Sequence, residues 1–190
     1  MGWLDALFGR TRTRAARTDN LFSLSTAEPD LEDQLGARFA GRLAVVLRDM
    51  EAVRFQKIIT VVRDVLGRRT EDLPVTITEA ADRLHFHWVI VQSRDLTAAL
   101  TAARLVEQLA EEAGFSDALL AAMADMGEFS LIYSYRHGRF YPFCQTGPNH
   151  RDTSREIRVS AVLSPLLPIE SDQSVWYPLW DPPWAGGPSA

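Results

Sequence analysis

The sequence predicts an α+β domain: one mostly antiparallel sheet of about five to six strands, with two to three helices on one face. Three observations carry this. Residues 129–143, FSLIYSYRHGRFYPF, alternate in the manner of two strands around a tight turn. Residues 95–113 carry a helical stripe of Leu96, Ala99, Leu100, Ala103, Val106, Ala110 and Ala113. Between and before these lie short apolar runs with charged or turn-forming flanks, each of strand length.

The totals fit such a domain. At 190 residues the chain is long enough to bury a core without staples, and its 46% hydrophobic and 24% charged residues are ordinary for a globular protein. A net charge of -5 argues against a general nucleic-acid binder. The single cysteine, Cys144, leaves no internal disulfide and no cysteine-rich zinc site. No apolar run reaches membrane-spanning length, and the N-terminus lacks the order of a secretory signal. A cytoplasmic protein is expected. Three segments are expected: an N-terminal tail over 1–25, the α+β domain over 26–170 and a Pro/Trp-rich arm over 171–190.

In the tail, Trp3, Leu4, Leu7 and Phe8 form a short apolar stripe, with Gly9 as a stop. Arg10, Arg12, Arg14 and Arg17 follow, four arginines against Asp5 alone in residues 1–18. An apolar turn beside a basic run can lie at an anionic membrane surface, or dock on a partner or on the protein's own core. Residues 18–41 read as a connector with apolar anchors at Leu21, Phe22 and Leu24 and an acidic cluster of Glu28, Asp30, Glu32 and Asp33.

RLAVVLR, residues 42–48, reads as a strand. Residues 51–66 repeat Phe55, Ile58, Ile59, Val62, Val65 and Leu66 at helical spacing, and Gly67 ends the helix. VTITE at 75–79 and HFHWVIV at 85–91 read as a hairpin, with Phe86, Trp88 and Ile90 on one face and His85, His87, Val89 and Val91 on the other. Two histidines at i and i+2 fall short of the three protein ligands a zinc site needs, so no metal is expected. Asp95 caps the 95–113 helix, and Gly114 with Phe115 closes it. Residues 119–124, LLAAMA, have helical propensity but are assigned as a strand leading into the 129–143 hairpin.

In that hairpin a two-residue turn at His137-Gly138 is expected, of type I′. It would place Arg136 opposite Arg139, Tyr135 opposite Phe140 and Ser134 opposite Tyr141. Phe129, Leu131, Tyr133, Tyr135, Phe140 and Pro142 then form the core face. The other face ends in Arg136 and Arg139, with Ser134 and Tyr141 beside them as donors, a candidate contact for an anion or an acidic partner. Cys144 falls on the apolar face, where a buried, inert thiol is expected. Thr153-Ser154-Arg155-Glu156 has capping-box spacing, so a helix is expected over 154–164. In the tail that follows, prolines interrupt Trp176, Tyr177, Trp180 and Trp184. An extended arm over the core is the preferred reading. An aromatic partner contact through Trp176, Tyr177 and Trp180 is the alternative.

Several of these stretches together resemble the PspA-associated protein PspAB family. They are GWLDALFGR, DNLFSL, AEEAGF, YSYRHGRFYPF and LLPIESDQSVWYPLW. The hairpin and the tail are the more specific pieces, and residues 30–90 match least. The Ala-rich stretch 119–124 and the short Met126-Gly127 turn depart from the pattern. The resemblance implies a non-enzymatic accessory of the phage-shock (Psp) envelope-stress response, associated with the coiled-coil protein PspA, and the apolar, basic start adds a candidate peripheral contact at the inner face of the plasma membrane. It carries over no catalytic residue and no cofactor. A cytosolic, dimeric, secretion-chaperone-like or YbjN-like binding module is the alternative, by fold analogy alone. An enzyme is disfavoured: the chain has no Gly-x-Ser-x-Gly elbow, P-loop, dinucleotide fingerprint or His-Glu-x-x-His site.

Overall fold

The computed structural model describes residues 20–48, 52–67 and 74–184. The expectations for residues 1–17 lie outside these. Six antiparallel strands form one sheet: β1 (Arg42–Leu47), β2 (Thr76–Ala81), β3 (His87–Gln92), β4 (Leu119–Asp125), β5 (Ser130–Ser134) and β6 (Arg139–Phe143). Their order across the sheet is β2-β3-β1-β4-β5-β6. β1 is central, and its residues from Leu43 to Leu47 are all buried. That explains a near-continuous apolar run where a half-exposed strand would alternate. A two-stranded ladder of β7 (Gln145–Gly147) and β8 (His150–Arg151) follows β6.

Among the described residues four helices cover one face: α1 over 20–35, α2 (Ala52–Gly67), α3 (Leu96–Glu112) and α4 (Thr153–Leu163). Their buried side chains share a core with Leu43, Val45, Val89, Val91, Leu131, Tyr133 and Phe140 from the sheet. The alanines of α3 (Ala99, Ala102, Ala103 and Ala110) are at most fractionally exposed and bring its backbone close to the sheet. Asp95 Oδ1 accepts from the Thr97 and Ala98 N–H groups, as expected of the cap. At the other end Gly114 takes φ +82, and the Phe115 N–H reaches the Ala110 carbonyl at 2.7 Å.

The expected connector at 18–41 is overturned by α1. Leu21, Leu24, Ala27 and Leu31 are buried at helical spacing. Pro29 lies inside this helix and removes one backbone donor, a cost of about 3 kcal/mol. Burial of three leucines at roughly 1.5–3 kcal/mol each outweighs it. The acidic cluster lies on this helix, where Glu32 pairs with Arg38.

The expected hairpin register is also corrected. The pairs are Ser134↔Arg139, Tyr133↔Phe140, Ile132↔Tyr141 and Leu131↔Pro142. Residues 135–138 form a four-residue loop in place of the two-residue turn, and Arg136 is in that loop, not opposite Arg139. Gly138 alone among them takes positive φ, +66, and its N–H donates to the Ser134 carbonyl at 2.7 Å. A type I′ turn needs φ above zero at both central positions, which His137 does not adopt. The slip is two residues, so the side chains of the two strands keep their expected faces.

The 119–124 strand and the 75–91 hairpin form as expected, the latter with strands 76–81 and 87–92. His85 falls in its turn, at φ +62. The cap of α4 is Asp152, whose carboxylate accepts the Arg155 N–H at 2.8 Å. Glu156, expected to complete a capping box, instead points into the core, as described below.

The second sheet face is covered by the C-terminal arm. Trp176, Leu179, Trp180 and Trp184 pack on Ala44, Val46, Trp88, Ile90, Met123, Ile132, Tyr141 and Phe143. The face read as mixed and outward is therefore a second core.

Candidate interaction surfaces

The candidate anion contact does not assemble as expected. Tyr141 is buried, and its hydroxyl donates to the Tyr177 carbonyl at 3.0 Å. Burial drives its pKa far above the ordinary phenol value. Arg139 Nη1 donates to the Ile169 carbonyl at 3.1 Å, and Ser134 Oγ accepts the His137 N–H at 3.3 Å. Three of the four groups are thus engaged in holding the loop and the arm.

Arg136 goes elsewhere. With Tyr135 it lines a cleft of about 540 Å³ at one end of the sheet, together with Arg48, Glu107, Glu111 and Asp117. The α3 carboxylates and two guanidiniums give this cleft mixed charge. Arg48 Nη2 is held on the Asp117 carbonyl at 2.7 Å, and Arg104 Nη1 meets Glu107 Oε1 at 2.9 Å. The Tyr135 hydroxyl is buried, and burial followed by the Glu107 charge keeps its pKa well above the usual value.

The arm's aromatic residues divide. Trp176 is buried, stacks on Tyr141 at 6.1 Å and donates its indole N–H to the Glu170 carbonyl at 3.1 Å. Trp180 meets the Phe143 ring edge-on at 5.1 Å. Only Tyr177 of the three candidates projects outward, 71% exposed.

Cys144 is buried among apolar side chains, and desolvation, with Glu156 nearby, pushes its thiol up to about 11. A thiol held neutral at physiological pH is a poor nucleophile. His87 stacks on Phe55 at 4.2 Å, and no group of three or more potential metal ligands occurs among the described residues.

A buried node was missed by the sequence reading. Arg151 Nε donates to both oxygens of Glu156, at 2.9 and 2.8 Å, and its Nη2 approaches Oε2 at 2.6 Å. Glu156 Oε1 also accepts the Cys144 N–H at 2.8 Å, while Arg151 Nη1 donates to the Trp176 carbonyl at 3.0 Å. One ion pair therefore ties the end of β6, α4 and the arm together. The signal was present in a charged pair five residues apart, but capping spacing explained Glu156 just as well. Asp82 was missed too. It closes the β2–β3 turn through the Leu84 and Phe86 N–H groups and accepts the buried Trp88 indole N–H at 3.0 Å.

No described helix is long and apolar enough to cross a membrane. A family model described as PspAB, PspA associated protein B, matches residues 1–184. No curated protein and no solved structure matches the chain.

Proposed function

The chain belongs to the PspA associated protein B family, and on that premise we propose that it is a non-enzymatic binding accessory of the Psp envelope-stress response. In this reading it associates with a PspA-like coiled-coil protein and rests peripherally on the anionic inner face of the plasma membrane. The observation that carries the reading is the family match, which spans residues 1–184, from the apolar, basic start into the aromatic arm. The charge pattern supports a surface role for the start: Arg10, Arg12, Arg14 and Arg17 follow Trp3, Leu4, Leu7 and Phe8 directly. A binding role is also supported by how reactive groups are used. The Cys144 thiol is buried, the Tyr141 hydroxyl holds the arm, and the Arg151–Glu156 pair is a structural tie.

The test uses the full chain and a form lacking residues 1–17. The full chain should be retained by immobilised PspA and should co-float with vesicles containing anionic lipid. The shortened form should lose vesicle flotation while keeping its fold by circular dichroism. Failure of the full chain to bind either target refutes the proposal. If the shortened form floats as well as the full chain, the membrane part alone falls.

A further inference from the structure

The two edges of the sheet are treated differently. At the β6 edge, residues 168–170 bridge Phe140: its N–H donates to the Pro168 carbonyl at 2.9 Å, and its carbonyl accepts the Glu170 N–H at 2.8 Å. Pro142 in the same strand removes a further donor. Such devices keep an edge from pairing with another chain. Among the described residues the β2 edge has no bridging segment, and its nearest proline, Pro74, lies two residues outside the strand. Thr76–Ala81 contains no lysine, arginine or proline, and its pairing with β3 is free of bulges. Among the described residues, β3 is the one strand it pairs with.

We infer that the β2 edge is a self-association surface, pairing antiparallel with β2 of a second copy to join two sheets across a two-fold axis. The axis must stand perpendicular to the sheet, since that operation alone makes the strands antiparallel with their faces matched. Facing residues then sum to twice the residue on the axis. An axis at Glu79 would set two carboxylates against each other. An axis at Ile77 sets Ile77 against its copy on the helix side. On the other side, where Thr76 and Thr78 are both exposed, it makes two Thr76–Thr78 cross-pairs. Glu79 then faces Val75 of the other copy, and the two carboxylates are offset by roughly 13 Å along the strands. The single charge in β2 is in addition already met by Arg63 Nη2 at 2.9 Å and by Gln56 Nε2 at 3.1 Å. The strand is thus compatible in shape and charge with itself.

The adjoining helix widens the surface. Gln56 and Arg63 reach β2, so the stripe Val53, Gln56, Thr60 and Arg63 of α2 runs along this edge at helical spacing. Val53 on that stripe is 81% exposed, the most exposed large apolar side chain among the described residues. A two-fold axis at Ile77 brings the α2 stripes of the two copies toward each other. This inference is independent of PspA and of the membrane.

The experiment is light scattering on the full chain at micromolar concentration, repeated on the double variant Thr76→Lys, Thr78→Lys. Both positions are exposed, and the substitution sets lysine against lysine twice across the axis. The full chain should be a dimer, and the variant should dissociate roughly tenfold more readily or further. Thr76→Val, Thr78→Val, which keeps β-branching, should remain dimeric. Hydrogen exchange on the unmodified chain gives a second readout: the outward amides of residues 76–80 should slow as concentration rises. A monomer at all concentrations, a dimer indifferent to the lysines, or exchange that ignores concentration would each overturn the inference. So would amides that become protected only when PspA is added, which would assign the edge to a strand of that partner.

Discussion

Arg151→Ala removes the cation from a carboxylate that has no exposure at all. Glu156 is 0% exposed and holds three contacts to Arg151 against one to the Cys144 N–H. Breaking a buried pair from one side leaves an uncompensated charge, at a cost of about 3–5 kcal/mol. The lost bond from Arg151 Nη1 to the Trp176 carbonyl adds about 1 kcal/mol. The guanidinium is also lost from the Phe143 ring, 5.3 Å from its centroid. These terms share one side chain and do not add fully, so the expected loss is about 4 kcal/mol. With a urea slope near 2 kcal/mol/M, the unfolding midpoint by tryptophan fluorescence should fall by about 2 M. A second variant isolates the cause. Arg151→Met with Glu156→Leu removes both charges and leaves only the Cys144 N–H and the Trp176 carbonyl without their partners. It should be more stable than Arg151→Ala alone, although it changes two residues. A single variant within about 1 kcal/mol of the unmodified protein, or a double variant less stable than the single, would refute the account of the node.

Asp82→Ala should cost about 2–3 kcal/mol, since it orphans the fully buried Trp88 indole N–H and two turn amides. Asp82→Asn keeps an acceptor for the two turn amides but sets its NH2 against the Trp88 indole N–H, so it should recover only the turn's share of the loss in the same urea titration. Cys144 gives a pH dependence whose sign follows from its raised thiol. Below pH 9 both states hold the proton and this group contributes no slope. Above the unfolded value of 9.0 the unfolded chain releases a proton that the folded one keeps, so stability declines as pH rises through about 11. Urea midpoints on either side of that window should show the decline, and Cys144→Ala should flatten it. An identical slope in the alanine variant would remove Cys144 as the cause.

Where local periodicity carried the signal, the sequence was sufficient. The α3 stripe from Leu96 to Ala110, its Asp95 cap and its Gly114 stop stand as read, while Ala113, read as the last stripe residue, is exposed at the C-cap. The same holds for the choice of strand over helix at 119–124, because a six-residue apolar run next to a turn suits a central strand whatever its propensity. The hairpin faces were legible because alternation has period two, and the two-residue error in register left the side chains of the two strands, though not those of the loop, on their expected faces. The loop itself was not legible. A His-Gly pair resembles a tight turn, and only the φ that His137 adopts excludes it.

What depended on partners distant in sequence was open. α1 looked like a connector because Pro29 and four acids interrupt its stripe, and the sheet it packs on lies elsewhere in the chain. Arg136, Arg139, Ser134 and Tyr141 share a short stretch, and sequence spacing placed them together. Residues 169 and 177 claim two of those groups, and the loop turns Arg136 toward the cleft. Alone, the sequence determined the α+β class, the six strands of the main sheet and most helices, and the family, because periodicity and motif order are local properties of the chain. Among the described residues, the tertiary structure decided how the polar groups are engaged, that the arm covers the second face, and that β2 pairs with no strand but β3. Those outcomes are set by burial, and burial is a property of residues that meet only when the whole chain is folded.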